Sequence, residues 1–320
     1  MARRPAVAAA LLVLLGLVLG ACGLGAGDSK PGGAALTVTR DYGQRAVVER
    51  HVDAVPGGET VMRFLQRTTD VDTGYGGRFV NAIEGVRSGS REGAQRDWFY
   101  YVNGIEADTG AAERDVAGGD RVWWDYRDWG VAMRVPAVVG SFPEPFLHGT
   151  EGKRFPVRID CAQDAAKHCD EVSQRLQRAG IEPNTAALGS PSGEALLRVV
   201  VGRWEEARHD AASAELEDGP QQSGVFARVS RDTSGYTIQA LDARGRVVKT
   251  LGAGAGIVAA TRFEEQQPTW TVSGTDEAVL ERAVRLLDAR TLRDRYALAA
   301  DAAGPQPLPL PLPASAEGSR

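Results

Sequence analysis

The stretch RVWWDYRDW at residues 121–129 follows closely on DWFYYVNGIEAD at residues 97–108, and together they hold four of the chain's six tryptophans. A strand that only closes a core needs large side chains on one face. With the two-residue period of a strand, Trp98, Tyr100 and Val102 point one way, and Phe99 and Tyr101 the other. Likewise Val122, Trp124 and Tyr126 share a face, opposite Arg121, Trp123, Asp125, Arg127 and Trp129. The set Trp98, Tyr100, Val102, Val122, Trp124 and Tyr126 is assigned to the packed face. That leaves Phe99, Tyr101, Trp123 and Trp129 on a second aromatic face fringed by charges. Three readings of that face stand open: it is covered by the rest of the chain, it is a platform for a flat ligand, sugar or protein partner, or it meets solvent. A one-residue bulge would exchange the two sets.

The pattern around these strands predicts an α+β chain. Over residues 36–136, the β-branched runs LTVTRDYG and RAVVERHVDAV precede a turn at Pro56-Gly57-Gly58. Thr60 then caps a helix whose Val61, Phe64 and Leu65 share a face. The strand FVNAIEGV and the two aromatic segments follow, and Asn103-Gly104 suits a two-residue hairpin turn because both positions tolerate positive φ. Two strands, one helix and several more strands make a small mixed sheet with a helix across it, a β-grasp-like domain. Over residues 137–300 the pattern becomes βα. FPVRIDC precedes a helix with Ala165, Cys169, Val172, Leu176 and Ala179 on one face. LLRVVVG, GVFARVS, YTIQALD, GIVAATR and TWTVSG are further strands, and a helix near Thr275 carries Val279, Leu280, Ala283, Val284 and Leu287. This is a second α+β domain.

The ends differ from both. Arg3 and Arg4 precede an apolar run at residues 6–19 that is short for a membrane span and ends in small residues, so residues 1–21 are expected to be a signal peptide. Leu19-Gly20-Ala21-Cys22 resembles the lipobox of bacterial lipoproteins, which implies a diacylated Cys22 and attachment to the outer face of a cell membrane. Residues 22–35 are expected to be a Gly-rich tether and residues 301–320 a Pro-rich, unpacked, disordered tail. Losing Arg3 and Arg4 takes the formal charge from −5 to −7, which argues against a nucleic-acid partner.

The motifs GGETVMRFLQ, YGGRFVNAIEGV, DWFYYVNGIEADTGA and GGDRVWWDY, in that order, resemble the domain family related to the C-terminal β-domain of transcobalamin and intrinsic factor. The resemblance rests on Gly58, Thr60, Val61, Leu65, Gly77, Phe79, Ile83 and Gly85, then on Trp98, Tyr100, Val102, Asn103 and Gly104, and finally on Gly119, Asp120, Val122, Trp124 and Tyr126. It covers about a third of the chain and implies a β-grasp-like module that binds a soluble ligand. A cobalamin-like cofactor is the ligand the resemblance suggests, although the chain has no room for the helical barrel that completes the corrinoid pocket in the vertebrate carriers. LLRVVVGRWEEARHDAASAEL is faintly similar to peptidoglycan-binding sporulation-related repeats.

Cys161 and Cys169 form an even pair suited to an oxidising compartment, and a strand-to-helix disulfide is the leading reading. Metal ligation by Cys161, His168 and Cys169 would require a broken helix, since adjacent helical side chains point about 100° apart. Signatures of catalysis are mostly missing. GSPSG has Pro191 where a nucleophile elbow needs serine, and LGAGAGIVAA lacks the lysine and spacing of a phosphate loop. Glu144 and His148 at the domain junction are the acid–base pair to test, without an accompanying nucleophile. The resulting expectation is a non-enzymatic, membrane-anchored ligand-binding lipoprotein with no metal. Phe99, Tyr101, Trp123, Trp129 and His148 are its candidate contacts, and it feeds an uptake transporter. The alternative is an envelope protein that binds peptidoglycan or another polypeptide.

Overall fold

The computed structural model describes residues 30–89, 94–233, 235–252 and 254–311. The signal peptide at residues 1–21, Cys22 and the tether as far as residue 29 lie outside the described residues, as do residues 312–320 of the tail. The architecture is α+β. Strands β1 (Lys30–Arg40) and β2 (Arg45–Val55) are followed by helix α1 (Val61–Thr68). Next come a small antiparallel sheet of β3 (Val71–Gly74), β4 (Phe79–Ile83) and β5 (Val86–Arg87), then β6 (Arg96–Val102), β7 (Ile105–Glu106) and β8 (Arg121–Asp128). The main N-terminal sheet has the order β2-β1-β8-β6-β7, with β1 and β8 parallel at its centre and the other pairs antiparallel. Asn103 and Gly104 both take positive φ in the β6–β7 hairpin turn. FVNAIEGV is two strands rather than one, because Glu84 and Gly85 turn the chain at positive φ.

Thr60 caps α1, its side chain accepting from the Arg63 amide at 3.3 Å. Val61, Phe64 and Leu65 on its apolar stripe are fully buried, each worth about 1.5–3 kcal/mol of burial. They pack on Leu36, Val38, Val122 and the predicted set Trp98, Tyr100, Trp124 and Tyr126. Register explains why the aromatics pair. Trp98 lies opposite Tyr126 and Tyr100 opposite Trp124, and the second pair stacks with centroids 4.9 Å apart.

Beyond residue 150 a seven-stranded sheet dominates. It uses β9 (Val157–Cys161), β10 (Asn184–Ala187), β11 (Leu197–Arg203), β15 (Gly256–Thr261), β16 (Thr269–Gly274), β17 (Ala297–Asp301) and β18 (Gly304–Leu308), in the order β10-β9-β11-β16-β15-β17-β18. Helices α2 (Ala166–Arg178) and α3 (Glu277–Arg285) cover one face through Val172, Leu176, Leu280 and Val284. The other face meets a three-stranded sheet of β12 (Ala227–Asp232), β13 (Gly235–Leu241) and β14 (Val247–Leu251), together with Trp204 and Leu216. Cys161 at the end of β9 is disulfide-bonded to Cys169 in α2, eight residues on.

Two of the expected boundaries are corrected. Lys30–Ala35, read as tether, lies in β1, because backbone pairing with residues 51–55 requires no side chain to bury. The tail is not unpacked from residue 301. Asp301 and Gly304–Leu308 complete an antiparallel pair, and Leu310 bridges to Asp242. Pro305 and Pro307 are tolerated because β18 is an edge strand, where a missing N–H faces no neighbour.

Candidate ligand-binding cleft

On the second face of the N-terminal sheet, the structure takes the first of the three readings left open, cover by the rest of the chain, over the open platform on which the candidate contacts were based. Tyr101 and Trp123 are buried, at 0% and 2% exposure. They pack in one cluster with Tyr42, Val138, Phe226, Leu241 and Tyr296. Tyr296 stands edge-on to both, at 5.7 Å from Tyr101 and 5.3 Å from Trp123. Two glycines permit this approach. A Cβ on Gly140 would lie 2.7 Å from the Trp123 ring, and one on Gly43 would lie 2.0 Å from the Asp294 carbonyl oxygen. The four aromatics therefore do not form an open platform. Phe99 is half-buried beneath the Arg127 guanidinium, 3.7 Å from its ring centroid. Trp129 is half-buried at the end of β8 and its amide donates to the Gln95 carbonyl. The physical reason is area: large aromatic rings brought against a second layer are worth more covered than wet.

A buried carboxylate locks the same seam. The Asp125 oxygens accept from Thr39 Oγ1 at 2.6 Å, the Tyr42 amide at 2.9 Å, the Gly43 amide at 3.2 Å and the Tyr296 hydroxyl at 3.0 Å. Trp123 Nε1 donates to Thr39 Oγ1 at 2.7 Å, extending the chain of bonds. Burial pushes the Asp125 pKa up, against the pull of these donors. Arg127, also fully buried, donates to the Ala132 and Met133 carbonyls and to Glu106. The Asp125 carboxylate is thus satisfied inside the fold and ties β1 and β8 to the segment that carries Tyr296, whereas Arg127 is bonded through its two terminal nitrogens and its Nε has no hydrogen-bond partner among the described residues.

Closure stops at the centre of the sheet. Toward the β2 edge the same face opens into a cleft of about 650 Å³. Its floor is Ala35 and Thr37 of β1, Glu49 and His51 of β2, and Arg121 and Trp123 of β8, which the β1–β2 and β1–β8 registers bring side by side. Its opposite wall is Gly140 and Ser141 with residues 289–294, including Arg290, Arg293 and Asp294. Glu49 is ion-paired with Arg293, so one salt bridge spans the cleft between sheet and wall. Burial raises the Asp294 carboxyl, and the Arg293 charge opposes that shift. Of the five residues proposed from sequence as ligand contacts, only Trp123 borders this cleft. Arg121 was visible beside Trp123 in the alternation, whereas Arg290 and Arg293 come from far along the chain and carry no local signal.

His148 stands apart from this cleft. Its Nδ1 lies 2.6 Å from Glu144 Oε1, and Glu144 Oε2 accepts from the His148 amide at 2.9 Å. Glu144 is buried, which raises its pKa, while its hydrogen bonds to His148 lower it. Among the described residues no group of three or more His, Cys, Asp or Glu side chains is placed to hold a metal ion.

Comparison with known proteins finds a similarity over part of the chain. Residues 58–128 match the family described as a domain of unknown function, DUF4430, a span that encloses α1 and both aromatic strands. No curated protein matches the chain. A solved structure from Ruminococcus gnavus, provisionally described as a metal binding protein, is 17% identical; the match covers 30% of this chain and 97% of that one, with a TM-score of 0.23.

Proposed function

We propose that the protein is a lipid-anchored, extracytoplasmic binding module with no chemistry of its own, which captures a small molecule in the cleft between the N-terminal sheet and residues 289–294. The cleft carries this reading. Its volume of about 650 Å³ falls within the range of small-molecule sites, and it is walled by two parts of the fold, as such sites often are. The Leu-Gly-Ala-Cys22 motif supports lipid attachment to the outer face of a membrane. The transcobalamin-type resemblance of the aromatic strands keeps corrinoids among the candidate cargoes.

Titration of the purified protein with corrinoids and other cofactors, read by tryptophan fluorescence and calorimetry, tests this reading. Trp123 at the cleft edge serves as the reporter. Saturable binding that disappears when Thr37→Trp fills the cleft supports it; absence of any saturable response across the panel rejects it. Cys22→Ala is expected to release the protein from membranes.

A second reading, contact with peptidoglycan or a protein partner, is favoured by the tip of the β3–β4 hairpin. Tyr75 is 88% exposed and Phe79 40% exposed, with their rings edge-to-face at 6.2 Å. Exposed paired aromatics suit a polymer surface. Retention on purified sacculi that is lost in Tyr75→Ser would favour this role over small-molecule capture.

A further inference from the structure

The polarity of the cleft goes further than its size. Four arginines line it, Arg50, Arg121, Arg290 and Arg293, against two carboxylates, Glu49 and Asp294. Arg293 is neutralised by Glu49, and Arg50 is engaged by the carbonyls of Thr68 and Glu49. Arg121 has a single carbonyl contact, Phe142 O at 3.3 Å. The Arg290 guanidinium has no acceptor among the described residues; only its backbone amide is bonded, to Asp288. This excess of positive charge is local, because the whole chain carries a formal −5. The seam also has a counter-example at its other edge. A second cleft of about 370 Å³ is lined by five carboxylates, Glu106, Asp108, Glu151, Glu194 and Glu265, against three cations. The two clefts lie at the β2 and β7 edges of the N-terminal sheet and differ in sign.

We infer that the larger cleft takes a small molecule by a carboxylate or phosphate group held between Arg121 and Arg290, an inference that rests on that cleft being the binding site. A guanidinium presents a planar fork of donors that matches two oxygens of such a group, so two arginines with unused donors form an oxyanion clamp. The Glu49–Arg293 bridge closes one side of the clamp.

The test is calorimetry on the full chain in detergent with inorganic phosphate, glycerol 3-phosphate and citrate. Glucose, spermidine and phosphatidylglycerol vesicles are the comparison probes. The expected result is one saturable site for at least one of the three free anions. Arg121→Gln or Arg290→Gln is expected to weaken binding about tenfold or more, the lysine variants to retain part of it, and added salt to weaken it further. Unchanged thermal midpoints show that the variants are folded. Anion binding untouched by both glutamine variants overturns the inference. Glucose or spermidine binding in the cleft while the anions do not bind overturns the charge assignment and leaves the binding module standing. Binding to vesicles alone assigns the clamp to a lipid headgroup and overturns the small-molecule reading. No saturable binding here or in the cofactor panel removes both proposals.

Discussion

Glu215 offers a quantitative test of how the C-terminal half is packed. It lies in the helical turn Glu215–Glu217, which rests against β12, and its neighbour Leu216 is fully buried. The Glu215 side chain is 8% exposed, and Oε2 has no hydrogen-bond partner. Burial raises its carboxyl from 4.5 to about 7, with Asp218 adding to the shift and Gln222 opposing it. The sign follows from proton linkage. Below about pH 4.5 both folded and unfolded chains hold the proton, and between about 4.5 and 7 the folded chain alone retains it. Above about 7 both are ionised, so stability falls as pH rises through this window and the folded state bears the full cost. The whole shift corresponds to roughly 3 kcal/mol, which solvent screening at this rim position reduces to about 2 kcal/mol. Glu215→Gln has the same shape and never ionises. Urea unfolding of both proteins at about pH 4 and about pH 8.5 should show equal stability in acid and the glutamine variant ahead by about 2 kcal/mol in base. Other carboxylates titrate in both proteins and cancel in the difference. A gap that does not change with pH, or a glutamine variant weaker in base, would refute the reasoning.

Other expected outcomes follow from the seam and the disulfide. Asp125→Ala removes the acceptor for two buried amides and two hydroxyls, and should cost about 3–5 kcal/mol in denaturant unfolding. Tyr296→Phe, which removes one donor and keeps the ring packing, should cost about 1 kcal/mol. Trp123→Ala should destabilise the fold by about 3–5 kcal/mol through an internal cavity; a loss below about 0.5 kcal/mol would mean that the ring is not sealed. Replacing Cys161 and Cys169 together by serine should cost about 2–3 kcal/mol for a loop this short, read as a lower midpoint that reductant produces in the parent but not in the variant. Tyr75→Ser should change stability by less than about 0.5 kcal/mol, since an exposed side chain away from the core contributes little.

Much of the fold was legible because its signals are local. Thr60 announces the helix start by its hydroxyl, Asn103-Gly104 marks the turn by the backbone angles both residues tolerate, and the alternation of Trp98, Tyr100, Trp124 and Tyr126 sets the face that meets α1. The Cys161–Cys169 pair was readable because its eight-residue spacing crosses a strand-to-helix junction. Misreadings arose where composition was taken for disorder. Gly and Pro near each end suggested a tether and a loose tail, yet an inner strand needs only backbone to pair and an edge strand can dispense with donors. The candidate site was the least legible part. Alternation showed that a second aromatic face exists, and nothing near it in sequence showed what covers it.

Local order thus decided the elements, the strand faces and the disulfide, because each depends on side-chain period or on atoms a few residues apart. Tertiary structure alone decided which part of the second face stays open. Tyr296, which seals Trp123, bonds to Asp125 across 171 residues, and Arg290 and Arg293, which wall the cleft, arrive with the same segment. Contacts of that separation depend on how two layers dock, and the period of a strand carries no record of its partner.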